Sequence, residues 1–267
     1  MNQPMGTADL HMHTRHSDGQ PTVRQLLDHV ATRTTLDVIA ITDHDTITGA
    51  LEAQELLGHL SYRLEVIVGE EVSTRDGHLV GLFLKERIAP GMSAGETVAE
   101  IHTQGGLAFA PHPFFRAHQA ENRPITMVGL GLLVSELDLD ALETINNTPF
   151  LGLANRRAQR YNSAAARCLP ALANSDGHIP AAVGKGYTLF PGTTATDLYR
   201  AIQTGQTAAR ARTYNPSELV AYLHFWLGHS KGRLPGWALL NRSPLTSQPS
   251  CAARPLGRTR SENQINA

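Results

Sequence analysis

Histidines and carboxylates gather in short clusters along this chain, and they are the side-chain types that hold divalent cations. The clusters read Asp9-Leu10-His11-Met12-His13 running on to Asp18, Thr42-Asp43-His44-Asp45, Gly69-Glu70-Glu71, His78, Pro111-His112-Pro113 and Ser175-Asp176-Gly177-His178. Neutral imidazole offers a nitrogen ligand, and a carboxylate can bridge two ions while cancelling part of their charge. Six of the 13 histidines lie within these stretches. Several cations held together acidify water and neutralise phosphoryl oxygens, which is the chemistry of phosphate-ester hydrolysis.

Each cluster has an ordinary alternative when taken singly. His11 and His13 could be an exposed pair, Asp18 in Ser17-Asp18-Gly19 an Asx-turn, and His44 a capping histidine. Glu71 closes a buried apolar run, where a carboxylate is costly unless something cationic pairs with it. Glu70 points the other way on an extended chain, so only one of the two should face a pocket. The prolines around His112 stiffen its backbone. It is the coincidence of all six clusters at the ends of strand-like runs that argues for a metal centre.

The elements that must position these residues alternate. Strand-like runs span Thr7–Met12, Leu36–Thr42, Leu64–Gly69 (with Glu71 at its end), His78–Leu84, Leu107–Ala110, Ala141–Ile145, Ala171–Asn174 and Thr188–Phe190. Helical spacing covers Val23–Thr32, Thr48–Leu60, Ser93–Gln104, Ala154–Arg167 and Thr196–Thr204. That order predicts an α/β fold with a parallel, barrel-like sheet, whose strand ends share one rim. Pro216–Leu227 should be a docked helix, with Leu219, Val220, Leu223 and Leu227 at helical spacing. The expected division is a barrel over 7–207, a C-terminal helical extension over 208–241 and a disordered tail over 242–267, rich in Ser, Pro, Arg and Asn.

Composition narrows the partners. The 23 basic and 24 acidic residues give a net charge of −1, with no bulk attraction for duplex nucleic acid. Neither a secretory leader nor an apolar run of membrane-spanning length is evident, and two distant cysteines, Cys168 and Cys251, read as free thiols. The expectation is a cytoplasmic protein without a membrane partner.

The ordered set resembles the polymerase and histidinol phosphatase (PHP) family. The resemblance rests on Asp9-Leu10-His11-Met12-His13-Thr14 with Ser17-Asp18-Gly19, Ile41-Thr42-Asp43-His44-Asp45, Gly69-Glu70-Glu71-Val72-Ser73, Ala110-Pro111-His112-Pro113-Phe114 and Asn174-Ser175-Asp176-Gly177-His178. Gly184-Lys185-Gly186-Tyr187-Thr188 looks like the family's closing segment. The resemblance implies a distorted (β/α)7 barrel with two or three divalent ions: Zn, Mn or Fe. It implies that His11, His13, Glu71 and Asp176 hold one ion, that Glu71 bridges to a second completed by His78 and His112, and that Asp18, His44 and His178 hold a third. His16 competes with Asp18. Only 63 residues lie between His112 and Asp176, so an inserted substrate-recognition subdomain is small or missing.

Hydrolysis of a phosphomonoester or short phosphodiester by a metal-activated hydroxide is the leading expectation. The substrate would be a small phosphorylated metabolite, a nucleotide or a short oligonucleotide. Asp43 and Asp45 are candidates to protonate the leaving alkoxide, Arg116 and Lys185 to clamp phosphate, and Glu143 and Asn146 to line the pocket. Two other classes compete: amidohydrolase-type chemistry at a carbon centre, and a PHP module, non-catalytic or nuclease-type, serving a nucleic-acid enzyme.

Overall fold

Short connections and alternating apolar runs fold into one sheet of nine strands, wrapped by helices, in a computed structural model that describes residues 4–115 and 127–230. In chain order the elements are β1 (Met5–Asp9), α1 (Val23–Arg33), β2 (Val38–Ile41), α2 (Thr48–Leu57), β3 (Glu65–Ser73), β4 (His78–Leu82), α3 (Ala94–Thr103) and β5 (Leu107–Ala110). Then come β6 (Ala141–Asn146), α4 (Gly152–Ala164), β7 (Ala171–Asn174), β8 (Gly186–Pro191), α5 (Ala195–Thr204), β9 (Ala208–Ala211) and α6 (Pro216–Ser230).

Helices α1, α3 and α5 begin where side chains can satisfy the first free amides. Thr22 with Gln25, Ser93 with Glu96, and Thr194 with Asp197 form capping boxes on α1, α3 and α5. β2 is buried at every residue, with Val38 and Ala40 packed among one set of core side chains and Ile39 and Ile41 among another. That two-sided burial requires a continuous apolar run. Each such Ile or Val contributes roughly 1.5–3 kcal/mol on burial.

The sheet runs β7-β6-β5-β4-β3-β2-β1-β8-β9. β1, β2 and β3 are parallel, as are β5, β6 and β7, but β4 is antiparallel to both its neighbours. The expected all-parallel sheet therefore gives way to a mixed one. The reason is the short turn after β3, where Gly77 sits at φ +145°; so few residues cannot make the crossover that parallel strands need. The same hairpin keeps Glu71 inside β3 rather than at its end, because Ser73 still pairs with His78. β8 runs antiparallel to β1 and carries β9, so the sheet extends to Ala211, past the edge expected at residue 207.

Closure comes from the far edge. Met12 bridges Gly177, Leu10 N donates to Asn174 Oδ1 (2.9 Å), and Thr188 Oγ1 binds both N and O of Ala173 (3.0 Å each). The result is a nearly closed, distorted (β/α)7 barrel. α5 plugs one end: Ala195 N donates to Glu65 Oε2 at the start of β3, and Tyr199 OH to Gly105 O just before β5. The opposite end is where the parallel strands finish.

α6 docks as expected but through a different face. Tyr222 and Phe225 are buried against Ile179 and Ala182, whereas Leu219, Val220 and Leu223 are exposed. The aromatic pair fits beside the short 3-10 turn Pro180–Ala182, and aliphatic spacing alone could not reveal that. Cys168 is disulfide-bonded, not the free thiol expected. Cys251, Arg116 and the tail from 242 lie outside the described residues.

Candidate metal centre

The open barrel end collects the cluster residues because nearly every parallel strand delivers one there. His11 and His13 follow β1, His44 follows β2, His112 follows β5, and Asp176 and His178 follow β7. His78 opens β4, and since that strand runs backwards its first residue reaches the same rim. His112 and Asp176 hold left-handed backbone angles (φ +28° and +51°), a strain of the kind that persists where surrounding structure over-determines a site.

Four ligand atoms form a cage. Glu71 Oε2 lies 2.9 Å from His11 Nε2 and 3.2 Å from His13 Nε2, while Asp176 Oδ1 lies 3.5 and 3.3 Å from the same nitrogens. A cation bound tetrahedrally at ~2.0–2.2 Å would hold its ligands about 3.3–3.6 Å apart. The cage is close to that size. Glu71 turns its other oxygen away, placing Oε1 2.7 Å from His78 Nδ1 and 3.1 Å from His112 Nε2. A third group surrounds Asp18, whose Oδ2 is 3.1 Å from His178 Nε2 and 3.7 Å from His44 Nε2. His13 links the groups, with Nδ1 3.5 Å from Asp18 Oδ1.

All nine residues expected as ligands are thus brought together, in overlapping sets that could each hold an ion. The donor chemistry fits divalent metal. His13 is fully buried, and its ring nitrogens face carboxylate oxygens at 3.2–3.5 Å without hydrogen-bond geometry, while His112 Nδ1 has no hydrogen-bond partner among the described residues. Such orphaned polar atoms are expensive unless something else satisfies them.

Electrostatics tell the same story. Burial works against charge on His13, but the Asp176 and Glu71 carboxylates beside it prevail and push it up to about 10. Burial also opposes charge on His11, which Asp176, Glu71 and Glu143 together hold well above its ordinary value. Burial would raise Glu71, yet His44, His11 and His78 around it keep it well below the carboxylate range. Asp176 is held low in the same way by His11, His13 and His178. His44 goes the other way: desolvation brings it down to about 4, so its imidazole is neutral. Without cations, protons fill the place of positive charge.

A shell of hydrogen bonds fixes the cage. Glu143 Oε1 faces His11 Nδ1 at 3.2 Å and accepts from Asn174 Nδ2 (2.9 Å), while its Oε2 accepts from His112 N (2.6 Å) and Asn146 Nδ2 (2.9 Å). Asn146 Nδ2 also donates to Asp176 Oδ2 (3.0 Å). Residues three apart normally face opposite sides of a strand, but β6 shifts register between Glu143 and Ile145, which returns Asn146 to the inner side. Asp9, pushed up to about 6 by burial, accepts from Ser175 N (3.0 Å) and Gly184 N (2.8 Å) and so anchors the loop that carries Asp176.

Other expected site residues fall elsewhere. Asp43 accepts from Thr14 N (2.7 Å), Thr14 Oγ1 (2.6 Å) and Ser17 Oγ (2.7 Å); Asp45 accepts from Ser73 N (2.7 Å). Both carboxylates hold backbone and hydroxyl groups and neither joins the cage, because a short loop leaves its own amides to be satisfied. Lys185 pairs with Glu218 of α6 at 2.6 Å, so its charge is spent on docking that helix. His16 pairs with Glu52 (2.6 Å) away from the cage, leaving the position to Asp18. Glu70 turns outward to Ile88 N (2.8 Å), as alternation requires.

Among the expected ligands, the His44 and Asp18 side chains are the most accessible, at 24 and 18%. The cup therefore opens on their side. Phe225 of α6 lies against His178, ring centroids 5.8 Å apart, with Tyr222 buried alongside. Burial raises the Tyr222 hydroxyl above its usual value, and the charges of Asp176 and Asp18 add to it, so it stays protonated beside the cup.

Comparison with known proteins places this arrangement. Residues 9–122 match the family described as PHP domain, and residues 152–207 match the one described as PHP-associated. An uncharacterised protein of Methanocaldococcus jannaschii is 38% identical over 162 residues, which are 57% of this chain and 88% of that protein. A phosphoribosyl 1,2-cyclic phosphate 1,2-diphosphodiesterase of Eggerthella lenta is 37% identical over 102 residues, 35% of this chain and 37% of that enzyme. In structure, a two-domain protein of Bacteroides vulgatus containing a predicted PHP-like metal-dependent phosphoesterase aligns with TM-score 0.59 and 20% identity, covering 83% of this chain and 70% of that one.

Proposed function

We propose, from the premise that the chain belongs to the PHP family of metal-dependent phosphoesterases, that it hydrolyses a phosphomonoester or short phosphodiester at the cup between His11 and His178. The observation that carries this is the division of Glu71: one oxygen faces His11 and His13, the other His78 and His112. A carboxylate so placed suits two neighbouring cations. The first would be held by His11, His13, Glu71 and Asp176, the second by Glu71, His78 and His112, and a third by Asp18, His44 and His178. Zinc, manganese and iron all suit this mixture of imidazole and carboxylate.

Bound cations of this kind acidify water and neutralise phosphoryl oxygens as charge develops. The chain's own residues prepare the ground for that chemistry. Glu143 presents His11 through Nε2, and the backbone carbonyl of Asp176 faces His178 Nδ1 at 3.0 Å, which leaves His178 Nε2 directed at Asp18. The opening beside His44 and Asp18 admits the phosphate, and the buried floor excludes bulk water. The match to the diphosphodiesterase supports a phosphodiester among the substrates.

The test is purification with metal analysis, then a phosphate-release screen over nucleotides, bisphosphates and sugar phosphates. We expect bound divalent metal, activity abolished by thorough chelation and restored by metal, and a Glu71→Gln variant that is folded but at least ~100-fold slower. Full activity after chelation would end the proposal.

A further inference from the structure

Of the two cations expected to clamp phosphate, Arg116 lies outside the described residues and Lys185 pairs with Glu218. Three arginines gather elsewhere. Leu153, Arg156, Arg157, Arg160 and Tyr161, all of α4, line an open groove of about 550 Å³. Positions 156 and 160 are four residues apart, and 157 and 160 three apart, so helical spacing stacks the arginines on a single face. Leu153 forms the apolar edge of that face. α4 itself, Gly152–Ala164, contains no acidic residue. All three arginines are exposed, and none forms an ion pair with another described residue.

One aromatic side chain touching the groove residues follows closely on His112 in the chain. The Arg157 guanidinium lies 4.9 Å from the centre of the Phe114 ring, and Tyr161 packs against the same ring at 5.2 Å. Phe114 stands two residues after His112, so their backbones are at most about 7 Å apart. Free cations beside aromatic faces are the combination that tracks a single-stranded phosphodiester backbone while its bases stack. A duplex would present phosphates without free bases and gains nothing from the rings.

We propose that the α4 groove binds the phosphodiester strand of a single-stranded oligonucleotide whose reacting phosphate lies in the metal cup. The proposal rests on the phosphoesterase reading and names the substrate class of that same site. Arg156 and Arg160 contact strand phosphates, and Tyr161 with Phe114 offers a surface on which a base stacks.

The test uses the full chain with an Arg156→Ala/Arg160→Ala variant, which leaves the Arg157–Phe114 contact intact, and with Arg157→Ala added. Two readouts are compared: hydrolysis of bis(p-nitrophenyl) phosphate, and binding and hydrolysis of a 5′-labelled single-stranded oligonucleotide. Binding is followed by fluorescence anisotropy, so it reports even if the protein hydrolyses nothing. We expect oligonucleotide Kd and KM to rise at least ~10-fold and the aryl diester rate to stay unchanged. The slope of log K against log salt should flatten by about 0.7 for each strand phosphate that the variant no longer neutralises. Unchanged oligonucleotide binding overturns the proposal, as does an equal loss on both substrates. A wild type that binds the strand but hydrolyses no ester would overturn the phosphoesterase reading and leave the groove standing.

Discussion

Glu71 shows how much one side chain can organise, because its two oxygens face different pairs of imidazoles. Its neighbour Glu70 has the same chemistry and turns outward, pushed up to about 7 by burial. Sequence alternation anticipated that only one would face inward. Glu143 is the residue whose part was least legible, since it reaches His11, His112 N and Asn174 on other elements, and meets Asn146 only because β6 shifts register between them. Replacing it by Gln sets an amide NH2 against groups that donate. We expect Glu143→Gln to weaken metal binding roughly 10–100-fold, as loss of a group orienting a ligand histidine does. Calorimetric titration of the metal-free variant would measure this, and an unaltered affinity would show that His11 needs no such support.

At the scale of the elements, the loop between β1 and α1 shows what Asp43, expected as a proton donor, holds in place. Asp43, just after β2, accepts three hydrogen bonds from Thr14 and Ser17, and thereby ties down the loop that brings Asp18 to His178. A side chain added at Gly49 would collide with that carboxylate, so α2 can approach it only through glycine. Asp43→Ala strands a buried amide and hydroxyl, at a cost of about 1–3 kcal/mol. Its melting temperature should fall, while the shape of its pH–rate profile stays that of the wild type. Loss of one limb of the profile would restore Asp43 as a proton donor. The strand ends that carry the clustered histidines and acids were readable from apolar runs. The antiparallel β4 and the short, alanine-rich β9 were not, because pairing direction and edge addition are set by neighbours across the sheet.

Over the whole molecule, the charge of the cup couples metal, protons and stability. The His13 pKa is raised from 6.5 to about 10 in the metal-free protein, so its stabilising contribution is complete below pH 6.5 and is lost as pH climbs through 10. Glu71 and Asp176 are depressed, and their contribution is present above the ordinary carboxylate range and lost only in strong acid. Cations that displace the histidine protons should therefore bind more tightly as pH rises, and stabilise the fold by mass action. We expect the gap in melting temperature between metal-loaded and metal-free protein to widen from about pH 6.5 to about pH 8.5. A constant or shrinking gap would mean that those protons do not compete with metal. No helix among the described residues is long and apolar enough to cross a membrane. From sequence alone came the clustered histidines and acids, their order and the alternation of strand and helix, because residue chemistry and apolar period are written locally. Only the tertiary structure decided which acids joined the cage and which held loops, how Glu71 divides its oxygens, and where the α4 arginines lie. Those depend on distances between segments far apart in the chain, which packing and barrel closure fix together.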